Sequence, residues 1–303
     1  MAGSTLTSLA GRIVSQEAIV EATKSITAVA DFAHRFNEAE TARGSVVVVP
    51  LFNVPVAKDF NPPTVKYTSA GGTVAGVEIP ISDHIFEGFK FTDKDFAQCP
   101  VGFWKGGGAA IGRSLGLAIA QKIVGLINKT NVPKSADNEY VLSSITKKTI
   151  ADLVNRAELA DIDASKSTLL LGGAAYSELL SLMDANVYGG AEAVRNGILT
   201  PGCYGFGSIR RCNAFSSDVN EKLVAAIVAN DAIGYAGSPI EPQGKAGLDE
   251  YGIATDSASG LTIGFRRFAD QSDGINYMVG ECLFGSKLVQ PKRVVRLVSA
   301  ATA

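Results

Sequence analysis

Histidine and cysteine are scarce in this chain of 303 residues. It has two histidines, His34 and His84, and four cysteines, Cys99, Cys203, Cys212 and Cys282, with no C-x-x-C spacing among them. That is a poor supply of zinc ligands, and no metal site is expected. The cysteines read as small core residues. Cys203 and Cys212 stand close enough in sequence to pair, but a reducing cytoplasm does not favour a disulfide. Charge is also sparse: 19% of residues are charged and the formal net charge is -2. This balance argues against a surface built to grip phosphates, since specific DNA binders usually carry a basic stripe. Long apolar runs are missing too. The longest, SVVVVPLFNVPVA from Ser45 to Ala57, is broken by Pro50, Asn53 and Pro55, and falls short of the roughly 20 residues that a membrane helix needs. The opening MAGSTLTSLAGR lacks the basic start and apolar core of a secretion signal, so synthesis and residence in a cytoplasm are expected. No repeat period or low-complexity segment is evident.

What remains is an apolar globular composition, 46% hydrophobic with a mean hydropathy of +0.17. The excess apolar surface is expected to be covered by other subunits. Residues 15 to 40 read as an amphipathic helix, with Ile19, Ala22, Ile26, Val29, Ala33 and Phe36 on one face. Such a helix ahead of the first strand is either packed on its own domain or laid across a neighbour. Between residues 44 and 92 the period changes to that of strands: VVVVPLF, a polar Pro/Asn/Lys-rich stretch, then VAGVEIPI and FEGFKFTD. This describes an extended hairpin with a polar tip, or else an ordinary antiparallel pair within a sandwich.

Thr92 followed by Asp95 is a variant capping box and predicts a short helical turn. A long helix is expected from Ala109 to Lys129, its stripe formed by Ile111, Leu115, Ala118, Ile119, Ile123, Leu126 and Ile127. A second helix carries Ile150, Leu153, Val154, Ala157 and Leu159. A buried strand, Thr168 to Leu171, leads into a helix from about Ala174, and KLVAAIVANDAI reads as an apolar helix-like run. Asp273-Gly274 predicts a hairpin between LTIGFRRFAD and NYMVGECLFG, and RVVRLV a final strand.

GGAAIGRS, Gly107 to Ser114, differs from the phosphate loop G-x-x-x-x-G-K-[ST] only at Arg113. A phosphate loop needs a buried strand running straight into its glycines, so that backbone N–H groups and a helix N-terminus point at the phosphate. Here AQCPVGFWK precedes it, with Pro100 in the way, and arginine does not replace the lysine's compact charge. The glycines are read instead as a bend at residues 106 to 108 where the helix starts, with Gly112 and Gly116 allowing close approach of another backbone. Ser114, His84 and Asp83 lack a nucleophile elbow; His84 with Asp83 reads as a solvated pair in a strand connection. His34 is placed on a helix face, and Asp161 and Asp163 in a turn that they cap or solvate. No catalytic constellation and no cofactor site emerge.

Three stretches, GVEIPISDHIFEGFKFTDKDFAQ with GRSLGLAIAQKIVGLI, TKKTIADLVNRAELADIDASKSTLLLGGAAYSELL, and YMVGECLFGSKLVQPKRVVRLV, together with the order of elements, resemble the major capsid proteins of tailed bacteriophages. The resemblance implies the α+β Hong Kong 97-like capsid fold, with residues 1–43 as an N-terminal arm and 44–92 as the extended loop and its connecting strands. Residues 93–164 would then be the peripheral domain with the spine helix, 165–260 the axial domain, and 261–303 strands returning to the peripheral sheet. It implies a non-enzymatic protein of the virion, made in the host cytoplasm, that assembles with itself as pentamers and hexamers into an icosahedral shell. The packaged double-stranded DNA would be contacted weakly and without sequence preference. No long charged leader precedes the arm, so a separate scaffolding protein is implied, with a portal and a decoration protein as further partners. Some relatives crosslink a loop lysine; Lys58 and Lys66 lie in the right region, and crosslinking is not predicted. An encapsulin-like nanocompartment shell is the alternative of the same fold, and a nucleotide-binding enzyme using Gly107 to Ser114 the alternative of another class.

Overall fold

The computed structural model describes residues 3–4, 6, 8–36, 46–52, 74–135, 137–182, 203–212, 215, 222–240, 242, 248–256, 260–270 and 273–299. In chain order the elements are β1 (Gly3–Ser4), α1 (Leu9–Ala30), β2 (Ala33–Arg35), β3 (Val46–Phe52), β4 (Val74–Pro80), β5 (Asp83–Thr92), α2 (Asp93–Gln98) and α3 (Val101–Val124). They continue with β6 (Glu139–Leu142), α4 (Lys147–Leu159), β7 (Ser167–Leu171), α5 (Gly173–Ser181), β8 (Ser208–Arg211), β9 (Leu223–Ala229), β10 (Ile233–Ser238), β11 (Glu250–Thr255), β12 (Thr262–Asp270), β13 (Ile275–Leu288) and β14 (Val294–Ser299).

Helix α1 starts earlier and ends earlier than its apolar spacing suggests. Ser8 caps it by accepting the Gly11 N–H at 3.0 Å, and the Glu250 carboxylate, reaching across from β11, accepts the Ser8 N–H at 2.8 Å. A carboxylate at this end also offsets the helix dipole. Val14, Ala18, Ile19, Ala22, Ile26 and Val29 form the buried stripe. The chain then turns at Asp31, buries Phe32, and enters β2, which runs parallel to β10. His34 therefore belongs to a strand and not to the expected helix face, and Ala33 and Phe36 lie beyond the helix.

Helix α3 begins at Val101, eight residues before the expected start, directly after Pro100 in the extended conformation. Gly106, Gly107 and Gly108 lie inside it, so the expected bend is absent. Each interior glycine costs about 1 kcal/mol relative to alanine, and three of the helix's glycines are explained by α1. A Cβ on Gly108 would fall 2.5 Å from the Val14 carbonyl oxygen, one on Gly112 2.7 Å from the Ala18 Cα, and one on Gly116 2.7 Å from the Ala22 carbonyl oxygen. Both numberings rise together in four-residue steps, so the helices run parallel with their backbones almost touching. The expected close approach at Gly112 and Gly116 is borne out.

The two helices cover one face of a seven-stranded sheet ordered β1-β11-β12-β13-β10-β2, with β5 also on β13. Strand β13 is the sheet's axis. Along one edge it pairs with β5 from Ile275 to Phe284, and along the other first with β12 and then with β10, all antiparallel. The β12–β13 hairpin forms as expected, with Gly274 at φ +63° in its turn. The capping box also forms: Thr92 Oγ1 accepts the Asp95 N–H while Asp95 accepts the Thr92 N–H at 2.9 Å. A cluster of Phe89, Phe91, Phe103 and Trp104, with ring centroids 5.0 to 6.3 Å apart, ties the first turn of α3 to β5.

A five-stranded sheet, β6-β14-β9-β7-β8, forms the second layer system. KLVAAIVANDAI, expected as a helix, instead supplies β9, the turn after Ala229, and the start of β10. A short continuous apolar run suits a doubly buried strand as well as a buried helix, and Ala225 to Ala229 are wholly enclosed between β14 and β7. The final strand β14 pairs with β9 and β6, while β12 and β13 belong to the seven-stranded sheet. Arg296 on β14 is fully buried and donates to Glu139 at 3.2 Å. Helix α4 buries Ile150, Leu153 and Ala157 of its expected stripe and leaves Val154 half-buried, while Leu159, at its last position, is 57% exposed; α5 buries Tyr176 and Leu179.

Strands β3 and β4 make a separate antiparallel hairpin, from Val46↔Pro80 to Phe52↔Val74. Its inner face, Val47, Val49 and Ile79 with Ile81, meets Ala236 and Val289 in a second small core. The residues that would form the tip, 53–73, including Lys58 and Lys66, lie outside the described residues.

Candidate assembly surface

Residues of a strand alternate between the two faces of its sheet. On β13, Met278, Gly280 and Cys282 face the helices; a Cβ on Gly280 would come within 2.8 Å of Ile111. Tyr277, Val279, Glu281 and Leu283 face the other way, together with His84, Phe86 and Lys90 of β5, Arg266 and Phe268 of β12, and Tyr251 and Ile253 of β11. The β3–β4 hairpin covers one end of this second face: Pro80 lies on Gly285, and the Lys287 Nζ donates to the Glu78 carbonyl at 3.0 Å. Among the described residues the remainder is uncovered. Phe86 is 66% exposed, and Phe268 stacks on Tyr277 with ring centroids 5.0 Å apart.

A charged row crosses this face from strand to strand. Glu281 is the buried centre, its side chain 3% exposed; Arg266 donates to one carboxylate oxygen through Nε at 2.6 Å and through Nη2, and His84 Nε2 lies 3.1 Å from the other. Three antiparallel strands place these groups on adjacent diagonals, which is why residues far apart in sequence meet. A buried carboxylate held by a guanidinium satisfies its lone pairs and fixes the register of the three strands. Sequence reasoning missed Glu281 and Arg266. Their signal was the alternation Tyr277-Val279-Glu281 and Arg266-Phe268, which marks a shared face without revealing the partner strand.

The residues singled out for chemistry do not gather. Gly107 to Ser114 occupy the middle of α3, where the N–H groups are spent on the helix ladder and none points outward at a phosphate. Ser114 Oγ bonds Glu87 at 3.2 Å, Asp83 pairs with Lys122 at 2.8 Å, and His84 turns to Glu281 rather than to Asp83. His84 is thus in a strand, not in a connection. His34 is exposed on β2, its ring edge-on to Phe36 at 4.9 Å. Asp163 caps the turn at Ser165, and Asp161 sits at φ +58°. Cys99, Cys212 and Cys282 are free thiols. Burial first, and Glu281 second, push the Cys282 thiol up to about 12. Among the described residues no cluster of three or more His, Cys, Asp or Glu has the arrangement of a metal site, and no helix is long and apolar enough to cross a membrane.

A spine helix under a β sheet, a two-stranded hairpin laid on one end of that sheet's other face and a second, five-stranded unit together make the α+β Hong Kong 97-like capsid fold. No protein-family model matches the sequence, and no curated protein matches it. Solved structures do. A chain of Mycobacterium phage Che8 superposes with a TM-score of 0.56 at 16% identity, over 88% of each chain. One from the capsid structure of the cyanophage P-SCSP1u gives 0.54 at 14% identity, over 85% of this chain and 84% of that one. The virus-like particle from Pyrococcus furiosus gives 0.53 at 12% identity, over 94% of this chain and 97% of that one. At these identities the likeness is one of fold.

Proposed function

We propose that this chain is the major capsid protein of a tailed bacteriophage or prophage, a structural protein that assembles with itself into an icosahedral shell around double-stranded DNA. The observation that carries this reading is a shell-forming fold shared over most of the chain, joined to a sheet face and to the outer face of a hairpin, with Val46 and Val48 exposed, that its own described residues leave uncovered. A two-stranded hairpin is marginal alone, and an aromatic sheet face of this kind is ordinarily buried against something. Neighbouring copies in pentamers and hexamers would supply both covers. In this reading the seven-stranded sheet with α1 to α3 is the peripheral domain, residues 44–92 are the extended loop with its connecting strands, of which β5 belongs to the seven-stranded sheet, and the five-stranded sheet is the axial domain, drawing β6 and β14 from outside the expected 165–260. Scaffolding, portal and decoration proteins are its expected partners, and the virion, after assembly in the host cytoplasm, is its place. A nanocompartment shell enclosing protein is the less favoured reading, since apart from one virus-like particle the similar structures are mostly from phages.

Electron microscopy of the purified protein, alone and after coexpression with a candidate scaffolding protein, tests this. Closed uniform shells are expected, and deletion of residues 58 to 72 is expected to abolish them while leaving a folded subunit. Only small soluble particles in both preparations, or normal shells after the deletion, would overturn the reading. Cargo protein in place of nucleic acid would decide for the nanocompartment.

A further inference from the structure

Strand β5 forms one edge of the seven-stranded sheet, and among the described residues no strand pairs with its outer side. Two bonds fix the direction of its free groups. The Gly88 N–H goes to the side chain of Glu87 at 3.0 Å and the Thr92 N–H to that of Asp95 at 2.9 Å, not to β13. Along an antiparallel strand the groups bonded to one neighbour recur at every second residue, so the N–H groups of His84, Phe86 and Lys90 also point away from β13. Proline and bulges, two usual guards of such an edge, are absent from all ten residues. Beside this edge lies the outer side of α3. At 3.6 residues per turn, the face opposite Gly108, Gly112 and Gly116 carries Gly106, Ala110, Ser114 and Leu117, all of them exposed and uncharged. Phe103, 38% exposed, flanks them, while Arg113 leans towards Glu21 of α1 at 3.7 Å.

We propose that β5 is a docking edge for a second copy of this chain, which adds its own β5 antiparallel about a two-fold axis through Gly88. Two observations select that occupant. The first is register. An axis through Glu87 would set two like charges directly opposite, which is unfavourable. An axis through Gly88 pairs the strands from His84 to Thr92 and lays the stem of the partner's Lys90 beside Phe86, the most exposed aromatic of the uncovered face. The Gly88 N–H then exchanges the Glu87 carboxylate for a carbonyl of the added strand. The second observation is the helix beneath. Helix α3 lies across both β5 and β13, with Gly107 against Phe89 and Ile111 against Gly280. A strand added at the usual spacing of about 4.8 Å therefore brings the second α3 to about 10 Å from the first, a separation at which helices pack. Helix α3 runs antiparallel to β5, from Gly107 beside Phe89 to Lys122 paired with Asp83 at 2.8 Å, so the level of Gly88 falls at Ala110. One operation thus engages the open edge and the uncharged helix face together, with the two Ala110 residues at the axis and Phe103 turned to the partner's Leu117. The contact is isologous. In the shell reading above it joins one ring of subunits to the next, and its test does not depend on that reading.

The test is Ala110→Cys in a background with Cys99→Ser and Cys203→Ser. Helices at this separation bring their Cα atoms to about 5 Å at the crossing, within the span of a disulfide. Mild oxidation is expected to crosslink the variant into dimers, in unassembled protein or in shells, while Gln16→Cys on the exposed side of α1 is not crosslinked. Adding Phe86→Pro should abolish the crosslink with the circular dichroism unchanged, because proline there removes an outward N–H and takes no rung from β13. Lys90→Pro, at another outward position, serves where that variant misfolds, and Phe86→Ala, which keeps the N–H, should retain the crosslink. Crosslinking no faster than that of Gln16→Cys in both preparations, or undiminished by proline, would overturn the proposal. Shells without the crosslink would leave the capsid reading standing and remove this contact; the crosslink without shells would do the reverse.

Discussion

The contact between α1 and α3 makes two substitutions of the same kind, in one helix, act with opposite sign. Gly106 faces open space, with nothing within 4 Å of a Cβ placed on it. Gly106→Ala therefore relieves only the backbone freedom of glycine and should stabilise the subunit by about 1 kcal/mol. Gly112→Ala gains the same propensity, but its methyl would lie 2.7 Å from both the carbonyl carbon and the Cα of Ala18, and nearer still to the carbonyl oxygen. Ordinary carbon contacts are about 3.5 to 4.0 Å, so the helices must separate by about 1 Å. What must move is backbone, which has no alternative rotamer. Overpacking costs about 1 to 3 kcal/mol; at the upper end, less the propensity gain, the net loss is about 2 kcal/mol. With about 2 °C per kcal/mol in a chain of this length, Gly106→Ala should melt about 2 °C above the parent and Gly112→Ala about 4 °C below it. Circular dichroism of unassembled subunits is the assay, since assembly would itself raise the melting temperature. A Gly112→Ala subunit as stable as the parent would refute the parallel backbone contact.

Removing the carboxylate from the charged row by Glu281→Ala leaves the Arg266 guanidinium without its acceptor. Because Arg266 is 27% exposed and so partly solvated, the cost is expected to be about 2 kcal/mol in urea unfolding rather than the larger loss of a fully enclosed pair, and a cost no greater than that of Glu158→Ala on exposed α4 would contradict the geometry. The Asp95 carboxyl is held below its ordinary value of 3.8 by the Thr92 backbone N–H and then by the Thr92 hydroxyl, against the opposing effect of desolvation. Its contribution to stability is thus present above pH 3.8 and is lost as pH falls through the lowered value; an NMR titration should find the depressed midpoint in the parent and its return towards 3.8 in Thr92→Val. Peptide mapping after brief alkylation near pH 8 should find Cys282 unmodified in the folded protein and Cys99, which is half-buried, modified before the buried Cys212.

Local chemistry was readable wherever the signal lay within a few residues. Thr92 with Asp95 marked the start of α2, Asp273-Gly274 the β12–β13 turn, and the Ile150-Leu153-Ala157 spacing the inner face of α4. The errors have a common cause in partners distant along the chain. Of the glycines before Ala109, which look like helix breakers, Gly108 is explained only when α1 is laid against it and Gly107 only when Phe89 of β5 is, while Gly106 faces open space. Residues 223 to 234 carry no period, because β14 and β7 bury both faces of β9. The ends of α1 were misplaced because its N-terminal cap is completed by Glu250, and because Phe32 is buried as the chain turns into β2, a strand that exists only through its pairing with β10. Of the candidate surface, the alternation along β5, β12 and β13 was visible, but the meeting of His84, Glu281 and Arg266 depended on the order of strands.

Strand β4 passes through Ile81 and Ser82 directly into β5, and β5 lies along β13 for ten paired positions. A pull on the outer hairpin, as when a closed container swells, would draw β5 lengthwise past β13. Antiparallel hydrogen bonds stand perpendicular to the strands, so such a pull strains all the rungs of that ladder at once instead of opening them one after another like a zip. The hairpin is thereby tethered in the geometry that resists tension best, and mechanical load entering at its tip is spread along the central strand to the capping box of α2 at the far end.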